Sequence, residues 1–235
     1  SVKTKYSEVI EISDKITLDA KGLRYVIGEL QNFCLIESQR DVIADAFETF
    51  IDGALKGGEG QFFTPRNVVK LLVDLIDPKP NELIIDPACG TGGFLVESLR
   101  HIWDHLEKDA VSFGWNELAL AEEKNSSAIK CIRGVEKDEF LCKVTKAYMA
   151  ILGDGKGGIC CENSLDLPSR WKEMTQQYVR LGTFDVLLAN PPFGKDIKVT
   201  GEEILKQFDL AHVWENKQGE YNKTTKIKKE ELIQI

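Results

Sequence analysis

Residues 83–94 read Leu-Ile-Ile-Asp-Pro-Ala-Cys-Gly-Thr-Gly-Gly-Phe, an apolar run followed by a glycine-rich turn. The apolar residues beyond the turn have helical spacing: Leu95, Leu99, Ile102 and Leu106. Strand, glycine turn and helix in this order begin a nucleotide-type binding unit. A dinucleotide fingerprint would need a third glycine at position 95, which is Leu95, and no Gly-Lys-Ser/Thr of a phosphate loop is present. With Asp86 at its edge, the turn favours a ligand that carries an ammonium group.

Two further strands are predicted downstream. Residues 131–136, Cys-Ile-Arg-Gly-Val-Glu, are predicted to be the second strand, which ends in Glu136, and residues 158–161 are predicted to be a short third strand. The helix between them is predicted from Leu141, Val144, Ala147, Tyr148 and Ile151. A carboxylate at the end of the strand after a glycine turn can accept the hydroxyls of a ribose, although a solvated acid at a loop start is the alternative. Asn163 is either a ligand for an adenine edge or a residue that forms a turn.

The fourth strand lies in residues 184–194, Phe-Asp-Val-Leu-Leu-Ala-Asn-Pro-Pro-Phe-Gly. The apolar residues 186–189 predict a fully buried strand, which ends because the two prolines cannot donate ladder hydrogen bonds. The turn then presents the Asn190 amide, the Pro191 carbonyl and the Phe193 ring. These groups suit an amine on a flat ring; the other interpretation is a strand-ending turn with a packed Phe.

Residues 60–66 read Gly-Gln-Phe-Phe-Thr-Pro-Arg. Thr64 as N-cap and Pro65 as the first helical residue predict the start of a helix. Its apolar stripe comprises Val68, Val69, Leu72, Leu75 and Ile76. The free amides and partial positive charge of a helix N-terminus suit a ligand carboxylate, and a well-capped helix without a ligand is the alternative.

The composition is that of a soluble globular protein. The 235 residues carry a net charge of −8, which argues against a surface that binds nucleic acid unaided. No apolar run approaches the ~20 residues of a membrane helix, and no secretory signal opens the chain. The six cysteines form no Cys-x-x-Cys pair and have no His nearby, so we expect no metal site, no disulfides and a cytoplasmic location.

The segments outside these motifs carry weaker signals. Residues 1–58 are predicted to be helical and to pack on the next domain, with apolar stripes at Leu23, Val26, Ile27 and Leu30 and at Ile43, Ala46, Phe47, Phe50, Ile51 and Ala54. Residues 109–129 are predicted to be an irregular excursion within the core domain, 59–194. Residues 195–235 are predicted to be a polar, solvated loop and the start of a further part, because their lysines and acids are balanced.

Together these elements predict an α/β protein with a doubly wound, mostly parallel sheet and an N-terminal helical segment. Ligands of such sheets bind beyond the carboxyl ends of the strands, where strand order reverses. If the first and fourth strands flank that reversal, the glycine turn and the Asn-Pro-Pro-Phe turn face one crevice. One would hold a cofactor and the other the amine that reacts with it.

Three motifs in this order resemble a known family. They are Gly-Gln-Phe-Phe-Thr-Pro (60–65), Asp-Pro-Ala-Cys-Gly-Thr-Gly-Gly-Phe (86–94) and Asn-Pro-Pro-Phe (190–193), and they look like those of the N6-adenine DNA methyltransferases, above all the modification subunit of type I restriction–modification systems. The resemblance implies a Rossmann-like methyltransferase sheet, S-adenosylmethionine as cofactor and adenine in duplex DNA as substrate. It also implies a specificity subunit as partner and leaves a restriction subunit open. Because the family's fold continues with further strands, the sheet is expected to be truncated after its fourth strand.

The resemblance also implies site residues. The cofactor-binding set is Gln61, Phe62, Phe63, Thr64, Pro65, Arg66, Asp86, Ala88, Cys89, Gly90, Thr91, Gly92, Gly93, Glu136, Asn163 and Ser164. The catalytic set is Asn190, Pro191, Pro192 and Phe193, with no metal. Asp86 would lie near the ammonium group of the cofactor, Glu136 would hold its ribose hydroxyls, and Asn163 would lie by its adenine.

The chemistry so implied is activation of an amine. An adenine amine is a poor nucleophile because its lone pair is delocalised into the ring. Acceptance of its hydrogens by the Asn190 side-chain oxygen and the Pro191 carbonyl would return density to nitrogen, while Phe193 stacks on the flipped base. Two alternatives stay open: a methyltransferase for another planar amine (protein glutamine or an RNA base) and a non-catalytic cofactor-binding assembly module.

Overall fold

A parallel four-stranded sheet forms the centre of the protein. The computed structural model describes residues 15–32, 49, 64–152, 158–192, 198–227 and 232–233. The strands are β1 (Ile84–Asp86), β2 (Ile132–Glu136), β3 (Ile159–Cys161) and β4 (Val186–Leu187), in the order β3-β2-β1-β4. The first three begin one residue later than predicted. The order reverses at β1, which has β2 on one side and β4 on the other, so the predicted α/β class and the position of the reversal are confirmed.

Helices connect and flank the strands. They are α1 (Ala20–Leu30), α2 (Arg66–Ile76), α3 (Gly93–Phe113), α4 (Glu117–Cys131), α5 (Glu139–Leu152), α6 (Glu173–Tyr178) and α7 (Glu202–Leu205), with 3-10 turns at Pro168–Arg170 and Asp209–Ala211. The predicted stripe of α3 is buried at all four positions and packs against the sheet in the main core. A smaller cluster, which includes Ile85, Val135 and Trp171, covers the other face. Among the described residues, no helix is both long and apolar enough to cross a membrane.

The prediction of an irregular excursion over residues 109–129 is wrong. Helix α3 runs on to Phe113, and α4 follows after a short turn. Asn116 caps α4, since its Oδ1 accepts a hydrogen bond of 2.8 Å from the Ala119 amide. The helix buries only Ser127, Ala128 and Cys131, so its sequence shows little apolar periodicity.

The two helices before β1, α1 and α2, bury less of their predicted apolar stripes than expected. In α1, Val26, Ile27 and Leu30 are exposed, whereas the predicted second stripe between residues 43 and 54 lies outside the described residues. In α2 the buried residues are Val69 and Val73, and the other four members of the predicted stripe are exposed. Pro65 occupies the N-cap position of α2, so the prediction of Thr64 as its cap is also wrong.

The prediction of a polar loop over residues 195–235 is wrong where the structure describes them. Strands β6 (His212–Lys217) and β7 (Glu220–Ile227) form an antiparallel hairpin, while β5 (Lys198–Val199) pairs with β8 (Leu232–Ile233). The hairpin turn is Gln218-Gly219, with φ of 57° and 93°, the positive values that a two-residue type I′ turn requires. The sequence did not predict this turn, because Gln218 stands where Asn is usual in such a turn and the flanking residues are charged.

Strand β4 is shorter and less buried than predicted. It spans two residues, and burial alternates along it, because Val186 and Leu188 are buried whereas Leu187 is 63% exposed. Alternation of this kind belongs to a strand with one open face. Within the described sheet β4 is an edge strand, with β1 as its partner.

Candidate active site

Two turns leave neighbouring strands at the same edge of the sheet. Ile85 of β1 lies in register with Leu187 of β4, and the Leu188 amide donates to the Ile85 carbonyl at 3.1 Å. Because the two strands are parallel, the glycine turn after Asp86 and the turn at Asn190 both start from their carboxyl ends. This is the position at which doubly wound sheets bind ligands.

The glycine turn needs glycine at its centre. Gly92 has a φ of 83°, and a Cβ there would lie 2.7 Å from Thr145 Cγ2. The Gly92 amide donates to the Cys89 carbonyl at 2.7 Å, and the Thr145 hydroxyl donates to the Gly90 carbonyl at 2.6 Å. Thr145 is fully buried on α5 and fixes the turn through its hydrogen bond to Gly90. Sequence reasoning missed it, because one Thr within an amphipathic helix gives no signal of its own.

Asp86 is a buried acid at the start of the turn. The residue is 2% exposed, and its Oδ1 accepts a hydrogen bond of 3.0 Å from the Ala88 amide. Burial raises the pKa of Asp86 to about 7, the Ala88 hydrogen bond opposes the rise, and the charge of Glu136 adds to it. A cation bound beside this carboxyl would lower the pKa of Asp86 again, so the carboxyl would ionise and pair with the cation.

Glu136 connects the end of β2 to the glycine turn. Its Oε2 accepts a hydrogen bond of 2.8 Å from the Gly90 amide, and its Oε1 accepts one of 2.8 Å from the Asp138 amide. The Cys89 amide also donates to the Val135 carbonyl at 3.0 Å. The carboxylate is thus oriented by backbone, and each oxygen keeps a further lone pair for a ligand.

Asn163 lies just beyond β3, near the end of β2. Its Oδ1 accepts a hydrogen bond of 3.2 Å from the Leu165 amide, and its carbonyl accepts one of 3.0 Å from Trp171 Nε1. The side-chain oxygen therefore forms the turn that the sequence allowed as an alternative. The neighbouring Ser164 is half-buried.

Asn190 is held by a residue 126 positions away. Its Nδ2 donates to Thr64 Oγ1 at 2.9 Å, which brings the segment before α2 to the end of β4. Thr64 thus orients a side chain of the opposite turn, a contact that sequence order could not reveal. Of the adjoining prolines, Pro191 is half-buried and Pro192 is exposed.

The other predicted site residues differ in placement. Ala88, Gly90 and Thr91 are half-buried in the turn, Gly92 is buried, and Gly93, Pro65 and Arg66 are exposed. Cys89 is buried, and burial raises the pKa of its thiol well above the usual value, so it is a neutral packing residue. Gln61, Phe62, Phe63 and Phe193 lie outside the described residues, and their roles stay predictions.

Comparison with known proteins shows the family of this chain. A sequence model of the family described as N-6 DNA Methylase matches residues 38–228. The chain belongs to this family. A relative in Escherichia coli, the type I restriction enzyme EcoEI methylase subunit, is 33% identical over 197 residues, which are 82% of this chain and 35% of the relative. The type I restriction enzyme MjaIX methylase subunit of Methanocaldococcus jannaschii is 31% identical over 184 residues, 75% of this chain and 27% of the relative.

Solved structures extend the family relationship to the fold. A candidate type I restriction enzyme modification subunit from Vibrio vulnificus YJ016 has a TM-score of 0.54 and 28% identity, over 79% of this chain and 35% of that one. A candidate class I S-adenosylmethionine-dependent methyltransferase from Listeria monocytogenes has a TM-score of 0.56 at 16% identity, over 94% of this chain and 56% of that one, and supports the fold alone. The resemblance drawn from three motifs is thus confirmed at the level of the family. The chain spans about a third of the length of these curated relatives.

Proposed function

We propose that this chain carries the cofactor-binding and amine-binding turns of a type I modification subunit, which methylates the N6 amine of a flipped-out adenine in DNA. The observation that supports this most is the adjacency of β1 and β4. Their turns carry a buried carboxyl, Asp86, and an oriented amide, Asn190, at one edge of the sheet. A reaction between a bound cofactor and a planar amine needs both groups within one crevice.

The donor set at the glycine turn fits S-adenosylmethionine. The cofactor would supply an electrophilic methyl group on its sulfonium sulfur. Asp86 would pair with the ammonium group of the cofactor. The pKa of the buried Asp86 carboxyl is raised, and the positive charge of the ammonium group would stabilise its ionised form. Glu136, oriented by the Gly90 and Asp138 amides, would accept the ribose hydroxyls.

Asn190 would act on the amine of the base. Because its Nδ2 donates to Thr64, the amide is fixed with Oδ1 as the acceptor for an amine hydrogen. The Pro191 carbonyl would accept the second hydrogen. A neutral amide polarises the N–H bond without taking the proton, so the extra proton would leave to water after the methyl group has transferred. Placing both acceptors before the reaction lowers the barrier because no reorganisation is needed.

The partners of the whole protein follow from the same family relationship. A net charge of −8 gives this chain little electrostatic attraction for DNA. A specificity subunit that reads the DNA sequence would supply that affinity, and a restriction subunit would complete the system. We place the assembly in the cytoplasm, where reduced thiols such as buried Cys89, Cys142 and Cys160 are stable.

Substitution of Asn190 tests the proposal. Asn190→Ala in the complete subunit, with its specificity partner and duplex DNA, should lower methyl transfer from tritiated cofactor by ~100- to 1000-fold. Asn190→Asp should keep partial activity because an acceptor oxygen remains. Cofactor affinity measured by calorimetry should change little in either variant. Asn116→Ala, which removes only the cap of α4, is the matched control. Near-normal turnover by Asn190→Ala would show that amine activation by this residue does not occur.

A further inference from the structure

Three metal-ligating side chains converge away from the glycine turn. His101 Nε2 and His105 Nε2 each lie 2.8 Å from Asp77 Oδ1, and the two ring nitrogens lie 3.3 Å from each other. We propose that Asp77, His101 and His105 bind one divalent transition-metal ion, with zinc as the representative. The sequence predicted no metal because no His lies near its cysteines, whereas this site uses two of the chain's three histidines.

One ion can bridge the three ligand atoms once the two Asp77–histidine distances of 2.8 Å lengthen to the tetrahedral separation. In a tetrahedral zinc site with bonds of ~2.0–2.2 Å, neighbouring ligand atoms lie roughly 3.3 Å apart, which is the separation of the two ring nitrogens. The triangle formed by the three ligand atoms has a circumscribed radius of about 1.7 Å, which is shorter than those bonds. A point at bonding distance from all three atoms therefore exists on either side of their plane. The fourth position would belong to water.

The surroundings of the ligands match those of protein metal sites. The other ring nitrogen of His101, Nδ1, lies 3.4 Å from Asp74 Oδ1. Metal-ligating histidines usually present their second nitrogen to a carboxylate in this way, which fixes the ring and its tautomer. Lys79 pairs with Oδ2 of Asp77 and leaves Oδ1 to the histidines. The side chains of His101 and His105 are 19% and 29% exposed, so an ion can reach them.

The fold builds this arrangement from two helix segments. His101 and His105 are four residues apart on α3 and so share one face of the helix. Asp77 is the C-cap of α2, where its amide donates to the Val73 carbonyl at 2.8 Å and its φ is 52°. A left-handed C-cap is usually glycine or asparagine. An aspartate there places a carboxylate over α3 as well as ending the helix.

A metal ion at this site would tie α2 to α3. Thr64, which orients Asn190, lies just before the N-terminus of α2, whereas Asp77 follows its C-terminus. The eleven residues of α2 separate the two positions by ~16 Å. The ion would therefore be structural with respect to methyl transfer: it would fix the end of α2 that lies far from Thr64. Two imidazoles and one carboxylate favour zinc or a neighbouring first-row ion over magnesium or calcium.

Metal titration of chelator-treated protein tests the proposal. In calorimetry the full chain should bind one zinc ion. His101→Gln, His105→Gln and Asp77→Asn should each lower the affinity at least ~100-fold, because loss of a direct ligand exceeds the 10–100-fold effect of an outer partner. His212→Gln, the same change at the third histidine, should leave the affinity unchanged. Circular dichroism of the metal-free variants checks that each one folds.

Two further measurements separate this site from the buried thiols. Asp74→Asn should lower zinc affinity by ~10- to 100-fold, since only the orientation of His101 is lost. Bound cobalt should show visible d–d absorption without a thiolate charge-transfer band. Absence of zinc binding, equal binding by all histidine variants, or a thiolate band would each overturn the proposal. Asp77, His101 and His105 would then only form hydrogen bonds that link α2 to α3.

Discussion

Replacement of Asp86 by asparagine should stabilise the ligand-free protein above neutral pH. Asp86 is almost fully buried, and burial raises its pKa from the ordinary value of 3.8 to about 7. Asn has the same shape, and its Oδ1 can still accept the hydrogen bond from the Ala88 amide. The variant thus removes the burial of a charge and little else.

The size and sign follow from proton linkage. A difference of about three pKa units corresponds to ~4 kcal/mol at 1.36 kcal/mol per unit. Because the folded-state pKa of Asp86 is raised, the folded state keeps the proton that the unfolded chain has lost above pH ~4. The contribution of Asp86 to the free energy of unfolding is therefore fully present below pH ~4 and is lost as pH rises through 7. Between pH 5 and pH 8 the loss amounts to roughly 2–3 kcal/mol.

Urea denaturation of wild type, Asp86→Asn and the control Asp104→Asn at pH 5 and pH 8 measures this term. The Asp86→Asn variant should gain roughly 2–3 kcal/mol relative to wild type between the two pH values. Asp104→Asn, at an exposed acid of α3, should follow wild type. In calorimetry, cofactor binding near pH 6.5 should release a proton from wild type but not from Asp86→Asn. Parallel pH dependence of wild type and Asp86→Asn would refute the raised pKa of Asp86.

The glycine turn and the Asn190 contact give two further predictions. Gly92→Ala should lower the free energy of unfolding, measured by urea denaturation, by ~1–3 kcal/mol, because the positive φ of Gly92 and the nearby Thr145 methyl both oppose a Cβ. Gly93→Ala should be nearly neutral in the same assay, because no atom lies within 4 Å of the added Cβ. Thr64→Val should lower kcat by ~10- to 100-fold, with cofactor affinity unchanged and activity restored by Thr64→Ser, since only the orientation of Asn190 is lost. Equal stability of both glycine variants, or full activity of Thr64→Val, would contradict these accounts.

The helices and strands that could be predicted are those whose buried face requires apolar residues at regular spacing in the sequence. The stripe of α3 and the strands before Asp86 and Glu136 are packed on the core, so their apolar spacing is clear. Helix α4 was missed because its buried positions are small residues such as Ala128. The β6–β7 hairpin was missed because it is almost wholly exposed and its turn is Gln218-Gly219.

The candidate site was predictable in its motifs but not in its long-range contacts. The glycine turn and Asn190 follow strands directly, so topology alone places them at one edge of the sheet. The contact of Thr64 with Asn190 joins residues 126 positions apart and has no local signature. Thr145 and the cluster of Asp77 with His101 depend on helix packing in the same way.

Analysis of the methylated product tests whether adenine in DNA is the substrate. The complete subunit, its specificity partner, S-adenosylmethionine and duplex DNA are incubated together, and the DNA is then digested to nucleosides for mass spectrometry. The expected product is N6-methyladenine, formed by wild type and not by Asn190→Ala. Methylated cytosine, or methylation of RNA or protein with unmodified DNA, would contradict it.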